Sequence, residues 1–356
     1  AHPLSIAACA KHFAGYGAVE GGVDYSSAFI PENELRNVYL RPFHDALEAG
    51  VATFMSSFSD LNGVPATGNQ FLMRQVLREE RQLDGVVVSD WNAIGELTVH
   101  GFTANDREAA LAAASAGIDM EMASGHYAYH LPDLIACGQV DAAEVDTMVA
   151  NVLRLKFDLG LFERPFTDPS ASPALVNPSH LEAARRVATR SCVLLQNTGG
   201  LLPLDADQLA SVAVIGPLAD DGYEQLGTWV FDGESRHSRT CLEAIQGLVG
   251  DRVAVHWAPG MTHSRCRETG GYEEAVDAAG RSDVAVLFLG EESILSGEAH
   301  CRADIDLPGG QEELIDVVAA TGTPIVLVVM AGRPLTLGNV LDKVDALLYA
   351  WHPGTM

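Results

Sequence analysis

Lysine is nearly missing from this 356-residue chain: it stands at positions 11, 156 and 343 and nowhere else. Lys and Arg together number 22 against 48 Asp and Glu, a formal net charge of −26. That shortage of positive charge argues against nucleic acid as a partner, because a phosphate backbone is bound by a basic surface. The acidity itself reads as a solubility surface. No apolar run approaches the roughly 20 residues of a membrane span. The six Cys, at 9, 137, 192, 241, 266 and 301, form neither a CxxC pair nor a Cys/His cluster. Zinc and iron–sulfur centres therefore have no support, while a bridge joining Cys266 to Cys241 or Cys301 stays open. GxGxxG, GxxxxGK[ST], HExxH and the GxSxG nucleophile elbow are also missing. In VIGPLAD (214–220), Pro217 stands where a phosphate loop would need an amide. No metal and no cofactor are expected.

What is present is an ordinary globular composition, 47% hydrophobic and 20% charged, which excludes a disordered tail. The first 160 residues or so alternate short apolar runs (Leu4–Cys9, Val51–Met55, Gly85–Val88, Gly117–Met120) with helical patterns near 33–49, 69–80, 105–116 and 142–158. Strand–helix alternation predicts parallel strands with crossover helices. Polar residues follow the runs: Lys11 and His12, then Ser56–Asn62, then Ser89, Asp90 and Trp91. A (β/α)8 barrel keeps its chemistry at that end of its strands. Only four such units are visible. They read as the later units of an incomplete barrel domain, residues 1–162.

Residues 163–180 are rich in Pro and lack periodicity, which predicts a linker. A second alternating series occupies 181–356. Its candidate strands are Ser211–Ile215, Val253–Trp257, Val284–Leu289, Ile325–Val329 and Ala346–Tyr349, with helices near 181–191, 240–248, 272–280 and 310–320. Continuous apolar runs suit strands buried on both faces of a mainly parallel sheet. The series stops on a strand, so the chain reads as truncated at both ends.

Three places carry chemistry. Asp90 closes a buried strand, and Trp91 beside it offers a flat apolar face to a sugar ring; the alternative is a helix cap and a core aromatic. Lys11 and His12 can bind vicinal hydroxyls, or pair with a neighbouring loop. The long charged loop after the strand 284–289 holds Glu298, and long loops at strand ends commonly serve active sites. Composition does not choose between Glu298 and its neighbours Glu291, Glu292, Asp304 and Asp306. Asp119 and Arg302 read as structural ions.

Together these stretches resemble glycoside hydrolase family 3, the β-glucosidase group. The resemblance rests on ACAKHFAGYG (8–17), the segment 37–66, LDGVVVSDWNAIGEL (83–97), AGIDMEM (116–122), VLRLKFDLGLFERPF (152–166), RSCVLLQNTGGLLPL (190–204), SGEAHCRADIDLPGGQ (296–311) and LYAWHPG (348–354), in that order. It implies the C-terminal half of a TIM-like barrel followed by an α/β sandwich domain, with the active site between them. It implies Asp90 as nucleophile and Glu298 as acid/base, with carboxyl groups roughly 5–5.5 Å apart for retention. It implies Lys11, His12, Met55 and Trp91 as sugar-binding positions. KHFAGYG departs from the KHFPGHG pattern of the family's single-domain N-acetylglucosaminidases, which favours the two-carboxylate version. The implied substrate is a small glycoside or oligosaccharide, most simply one with a terminal β-D-glucose. A β-xylosidase or α-L-arabinofuranosidase, or a non-catalytic carbohydrate-binding relic, is the alternative. Neither nucleic acid nor membrane is implied as a partner, a homodimer is compatible, and a periplasmic or secreted setting is favoured.

Overall fold

The computed structural model describes residues 5–171 and 175–356. The chain divides into two compact units, Ala1–Pro169 and Ser170–Met356. In the first, the strands are β1 (Cys9–Phe13), β2 (Thr53–Ser56), β3 (Asp60–Leu61), β4 (Val64–Pro65), β5 (Val86–Trp91) and β6 (Met120–Met122). β1, β2, β5 and β6 lie side by side in that order, all parallel, and β3–β4 is a small antiparallel hairpin. Helical crossovers at Arg41–Glu48, Phe71–Glu80 and Asp106–Ala116 return the chain between parallel neighbours, as the alternation predicts. β2 is buried throughout and β5 up to its last residue, which is why neither strand alternates apolar with polar. The core gathers Phe13, Phe54, Leu72, Met73, Leu97, Ile118 and Leu134.

The helix Asp106–Ala116 shows how locally the sequence decides. The Asn105 side chain accepts from Glu108 N (3.0 Å), while the Glu108 carboxylate accepts from Ala104 N (3.0 Å). These bonds satisfy N–H groups that a helix start leaves without intrahelical partners. Ala109, Ala110, Ala113 and Ala114 form its buried stripe. Gly117, at φ 94°, ends it.

Several local expectations are corrected. The apolar run Leu4–Cys9 is not the first strand; Leu4 lies outside the described residues, and Ile6 is 90% exposed. The ladder starts at Cys9, paired with Thr53, because pairing to β2 and burial of Phe13 select the segment rather than local hydrophobicity. Lys11 and His12 therefore stand within β1, and Asp90 and Trp91 within β5, rather than in loops beyond them. Two further helices, Ala93–Val99 and His126–Ala136, were masked in the sequence by Gly95 and by Pro132. The helix Pro178–Ser191 reaches back into the segment read as linker. Asn177 caps it by accepting from Ser179 N (2.9 Å), and Pro178 fits its first turn. Linker residues 172–174 lie outside the described residues.

In the second unit, β7 (Val193–Asn197), β8 (Ser211–Ile215), β9 (Ala254–Ala258), β10 (Ala285–Gly290), β11 (Ile325–Met330) and β12 (Ala346–Tyr349) form one sheet in the order β7-β12-β11-β10-β8-β9. All neighbours are parallel except β7, which runs antiparallel to β12. The mainly parallel sheet is as expected. β7 escaped the sequence reading because VLLQN follows a helix with no turn signal and is half-exposed. The period-2 alternation of strands splits the sheet between two cores. Val212, Val214, Val286, Phe288, Val326 and Val328 face the helix Cys241–Val249. Ala213, Ile215, Leu287, Leu289, Leu327 and Val329 face the helices Tyr272–Gly280 and Gln311–Ala319. All six cysteines are free thiols, so neither bridge to Cys266 forms.

Candidate active site

In the first unit, β5 brings Asp90 to its carboxyl end. The residue is 7% exposed, and one carboxylate oxygen accepts from Trp91 N (2.7 Å). The other lies 3.2 Å from His12 Nε2, across β2 on β1, and receives no well-aligned hydrogen bond among the described residues. The His12 ring stands edge-on to Tyr16, with centroids 5.3 Å apart. Ser89 Oγ accepts from Met122 N (2.9 Å) and donates to Asp90 O (3.0 Å), which ties this end of β5 to β6. Trp91 is 67% exposed and presents an apolar face, and Asn92, next in line, adopts a left-handed φ of 55°. Lys11 is exposed on β1; Met55 is buried at the end of β2, in register with Val88. Asp119 is structural, as expected. It accepts from Val87 N (2.7 Å) and Asn151 Nδ2 (2.9 Å) and pairs with Arg78. Burial pushes its carboxyl above the usual carboxylate value, against the pull of Arg78 and the other donors.

In the second unit, topology selects the place. The chain leaves β8 for β9 on one side and later runs β10 to β11 to β12 on the other, so the strand order reverses between β8 and β10. Open α/β sheets bind ligands in the crevice beyond such a switch point. Gly216 (φ 118°) and Gly290 (φ 135°) turn the chain out of the sheet there. A Cβ on Gly216 would lie 2.2 Å from Phe288 O, and one on Gly290 1.9 Å from Met330 O, so neither position admits a side chain.

Beyond these glycines, residues 223–231 and 293–300 enclose a cavity of about 460 Å³. Tyr223, Trp229, Phe231 and Ile294 give it apolar walls, and Glu298 lines it. Trp229 (φ 63°) and Ala299 (φ 60°), the residue after Glu298, hold left-handed backbone that is costly away from glycine and collects at functional sites.

The competing acids of this loop are engaged elsewhere. Glu291 is fully buried, 2.5 Å from Arg302 and 3.2 Å from Arg333. Glu292 accepts from Ser264 Oγ (2.7 Å) and Arg265 Nε (3.0 Å). Burial pushes its carboxyl up, but Arg265, Ser264 and His263 outweigh that and hold it low. Asp304 accepts from Asp306 N (2.9 Å), and Asp306 from Thr336 Oγ1. Arg302 is structural, as expected. The sequence reading missed Tyr223, Trp229, Phe231 and Arg333. Its one available signal was the aromatic cluster of 223–231, in a stretch without periodicity.

The two units match two family models, "Glycosyl hydrolase family 3 N terminal domain" over residues 2–155 and "Glycosyl hydrolase family 3 C-terminal domain" over residues 192–356. A periplasmic beta-glucosidase of Salmonella typhimurium is 38% identical over 99% of this chain and 49% of its own length. A beta-xylosidase of Formosa agariphila is 34% identical over 98% of this chain and 50% of its own. Among solved structures, the beta-glucosidase of Listeria innocua in complex with isofagomine superposes with a TM-score of 0.91 at 36% identity, covering 99% of this chain and 49% of that one. The chain thus spans about half the length of the curated relatives it matches. With both units matched in order, the chain belongs to glycosyl hydrolase family 3.

Proposed function

We propose that this chain carries the catalytic carboxylates of a retaining β-glycosidase that releases terminal β-D-glucose from the non-reducing end of small glycosides or oligosaccharides. The observation that carries the reading is Glu298, the acid of its loop that lines an aromatic-walled cavity at the switch point of the sheet. The sheet of the first unit supports it with Asp90, a buried carboxylate at the end of β5 that stands 3.2 Å from His12 Nε2.

In the first step an Asp90 oxygen bonds to the anomeric carbon as the bond to the glycosidic oxygen breaks. The Glu298 proton passes to that oxygen, which leaves as an alcohol. In the second, Glu298 takes a proton from water, the water oxygen bonds to the anomeric carbon, and Asp90 departs with net retention. His12 and Lys11 would hold sugar hydroxyls, Trp91 would stack on the ring, and Met55 would back the pocket wall.

A relative named beta-xylosidase, at 34% identity, supports a xylosidase as the second reading. Labelling separates them. The full polypeptide is incubated with 2-deoxy-2-fluoro-β-glucosyl and β-xylosyl inactivators, and the labelled peptide is mapped. Glucosyl label on Asp90 is the expected result. Xylosyl label alone moves the assignment to the second reading, and label on another residue overturns Asp90 as nucleophile. Turnover of aryl glycosides with no label from either reagent overturns the retaining mechanism; no turnover and no label leave a carbohydrate-binding relic.

A further inference from the structure

Glu298 sits on an irregular loop, where a side chain would wander unless its backbone were held. Arg333, three residues beyond β11, does the holding. Its Nη2 donates to two main-chain carbonyls, Leu295 O and His300 O (2.6 Å to the latter). These carbonyls bracket Glu298, so one guanidinium nitrogen pins both feet of a six-residue arc with the acid near its apex. The Nε of Arg333 lies 3.2 Å from the fully buried Glu291 carboxylate. Glu291 in turn continues the β10–β11 pairing, its N donating to Met330 O (2.8 Å). The guanidinium is thereby anchored to the sheet on one side and to the arc on the other. Tyr349 adds a hydroxyl donated to Arg333 O. Arg302, also on Glu291, holds Asp306 O (3.1 Å), outside the arc.

We infer that Arg333 is a positioning residue for proton transfer: it fixes the backbone arc that aims Glu298, and it touches no substrate itself. The inference rests on the reading of Glu298 as acid/base. A lysine cannot reproduce the fork, because a single ammonium lacks the planar set of donors that reaches a carboxylate and two carbonyls together.

The test is Arg333→Lys in the full polypeptide, set beside Glu298→Ala. Both are assayed on aryl glycosides of the sugar found by labelling, with leaving groups graded from 2,4-dinitrophenol to plain phenol. General acid catalysis is worth about 10²–10⁴-fold and matters least for the most acidic leaving group. Arg333→Lys is therefore expected to lose about tenfold or more in kcat/KM on the phenyl glycoside and less than about threefold on the dinitrophenyl one. Its Asp90 should still be labelled by an activated fluorosugar, since that reagent needs no acid. A loss equal across the series, or none, overturns the role of Arg333 while Glu298→Ala keeps its graded loss. If Glu298→Ala itself shows no gradient, the acid/base reading falls first, and that result is seen without any Arg333 variant. Should Arg333→Lys fail to fold, Glu291→Gln, which frees the same guanidinium from its charge partner, is run on the same series. A graded loss there supports the inference and an even one overturns it.

Discussion

The two proposed catalytic carboxylates are mounted in opposite ways. Asp90 is part of a strand, and its backbone is fixed by the sheet and by Ser89 Oγ, which accepts from Met122 N and donates to Asp90 O. Glu298 stands on a loop with no ladder to hold it, and a half-buried arginine, Arg333, replaces the missing ladder. The contrast shows two solutions to one requirement, which is to hold a reactive group within a few tenths of an ångström of its productive place. The strand achieves it chiefly with main-chain hydrogen bonds that any sequence can make, and the Ser89 hydroxyl adds two more. The loop achieves it with particular side chains, and so depends on identity at single positions.

The sharpest way to break the comparison is chemical. Asp90→Asn should lower turnover at least about a thousandfold on every substrate, because no later step can replace a lost nucleophile. Glu298→Gln should lower it about 10²–10⁴-fold for poor leaving groups and little for activated ones. Initial rates on a pair of aryl glycosides check both. Equal behaviour of the two variants would show that the carboxylates do not divide the work.

Next comes the scaffold of the first unit. Asp119→Asn leaves Arg78 without its buried counter-charge and should cost about 3 kcal/mol of stability. Denaturant unfolding measures it. A cost below about 1 kcal/mol would mean that β5 is held by packing and main-chain bonds alone.

The smallest effect concerns pH and belongs to the second unit. Burial lowers the His352 imidazole below its ordinary 6.5, against the raising influence of Glu291 and the Glu224 carbonyl. A depressed folded value favours the neutral ring, so its contribution is present above pH 6.5 and lost as pH falls through the folded value. Thermal melts should therefore show a decline on acidification that is shallower in His352→Phe. Identical pH slopes would remove His352 from the account.

How much of this could be read beforehand varies by element. β8 and β12 fall where apolar runs flanked by turn residues put them, because strands buried on both faces carry their signal in consecutive residues. β1 does not, since its place depends on a partner strand more than forty residues away in sequence. Asp90, His12 and Glu298 were visible through motif resemblance, and the structure adds the His12–Asp90 proximity and the cavity beside Glu298. Arg333 was invisible. In AGRP it is an ordinary surface-type residue, and its meaning arises only when β10 and β11 set it against Glu291 and the arc. Trp229 and Phe231 were hidden for a similar reason: aperiodic loops reveal which walls they build only once folded.

The arc's two feet are carbonyl oxygens of the main chain, and every amino acid supplies one. Ile294, Ser296, Gly297 and His300 line the cavity, yet Arg333 asks nothing of their side chains. On the proposed reading, adaptation and laboratory libraries can therefore vary Ile294, Ser296 and His300 to change which aglycone fits without retraining the acid, whereas Gly297, at φ 105°, is held to glycine by its backbone. Under the proposed roles, substrate range and proton delivery become separately heritable traits of one short loop.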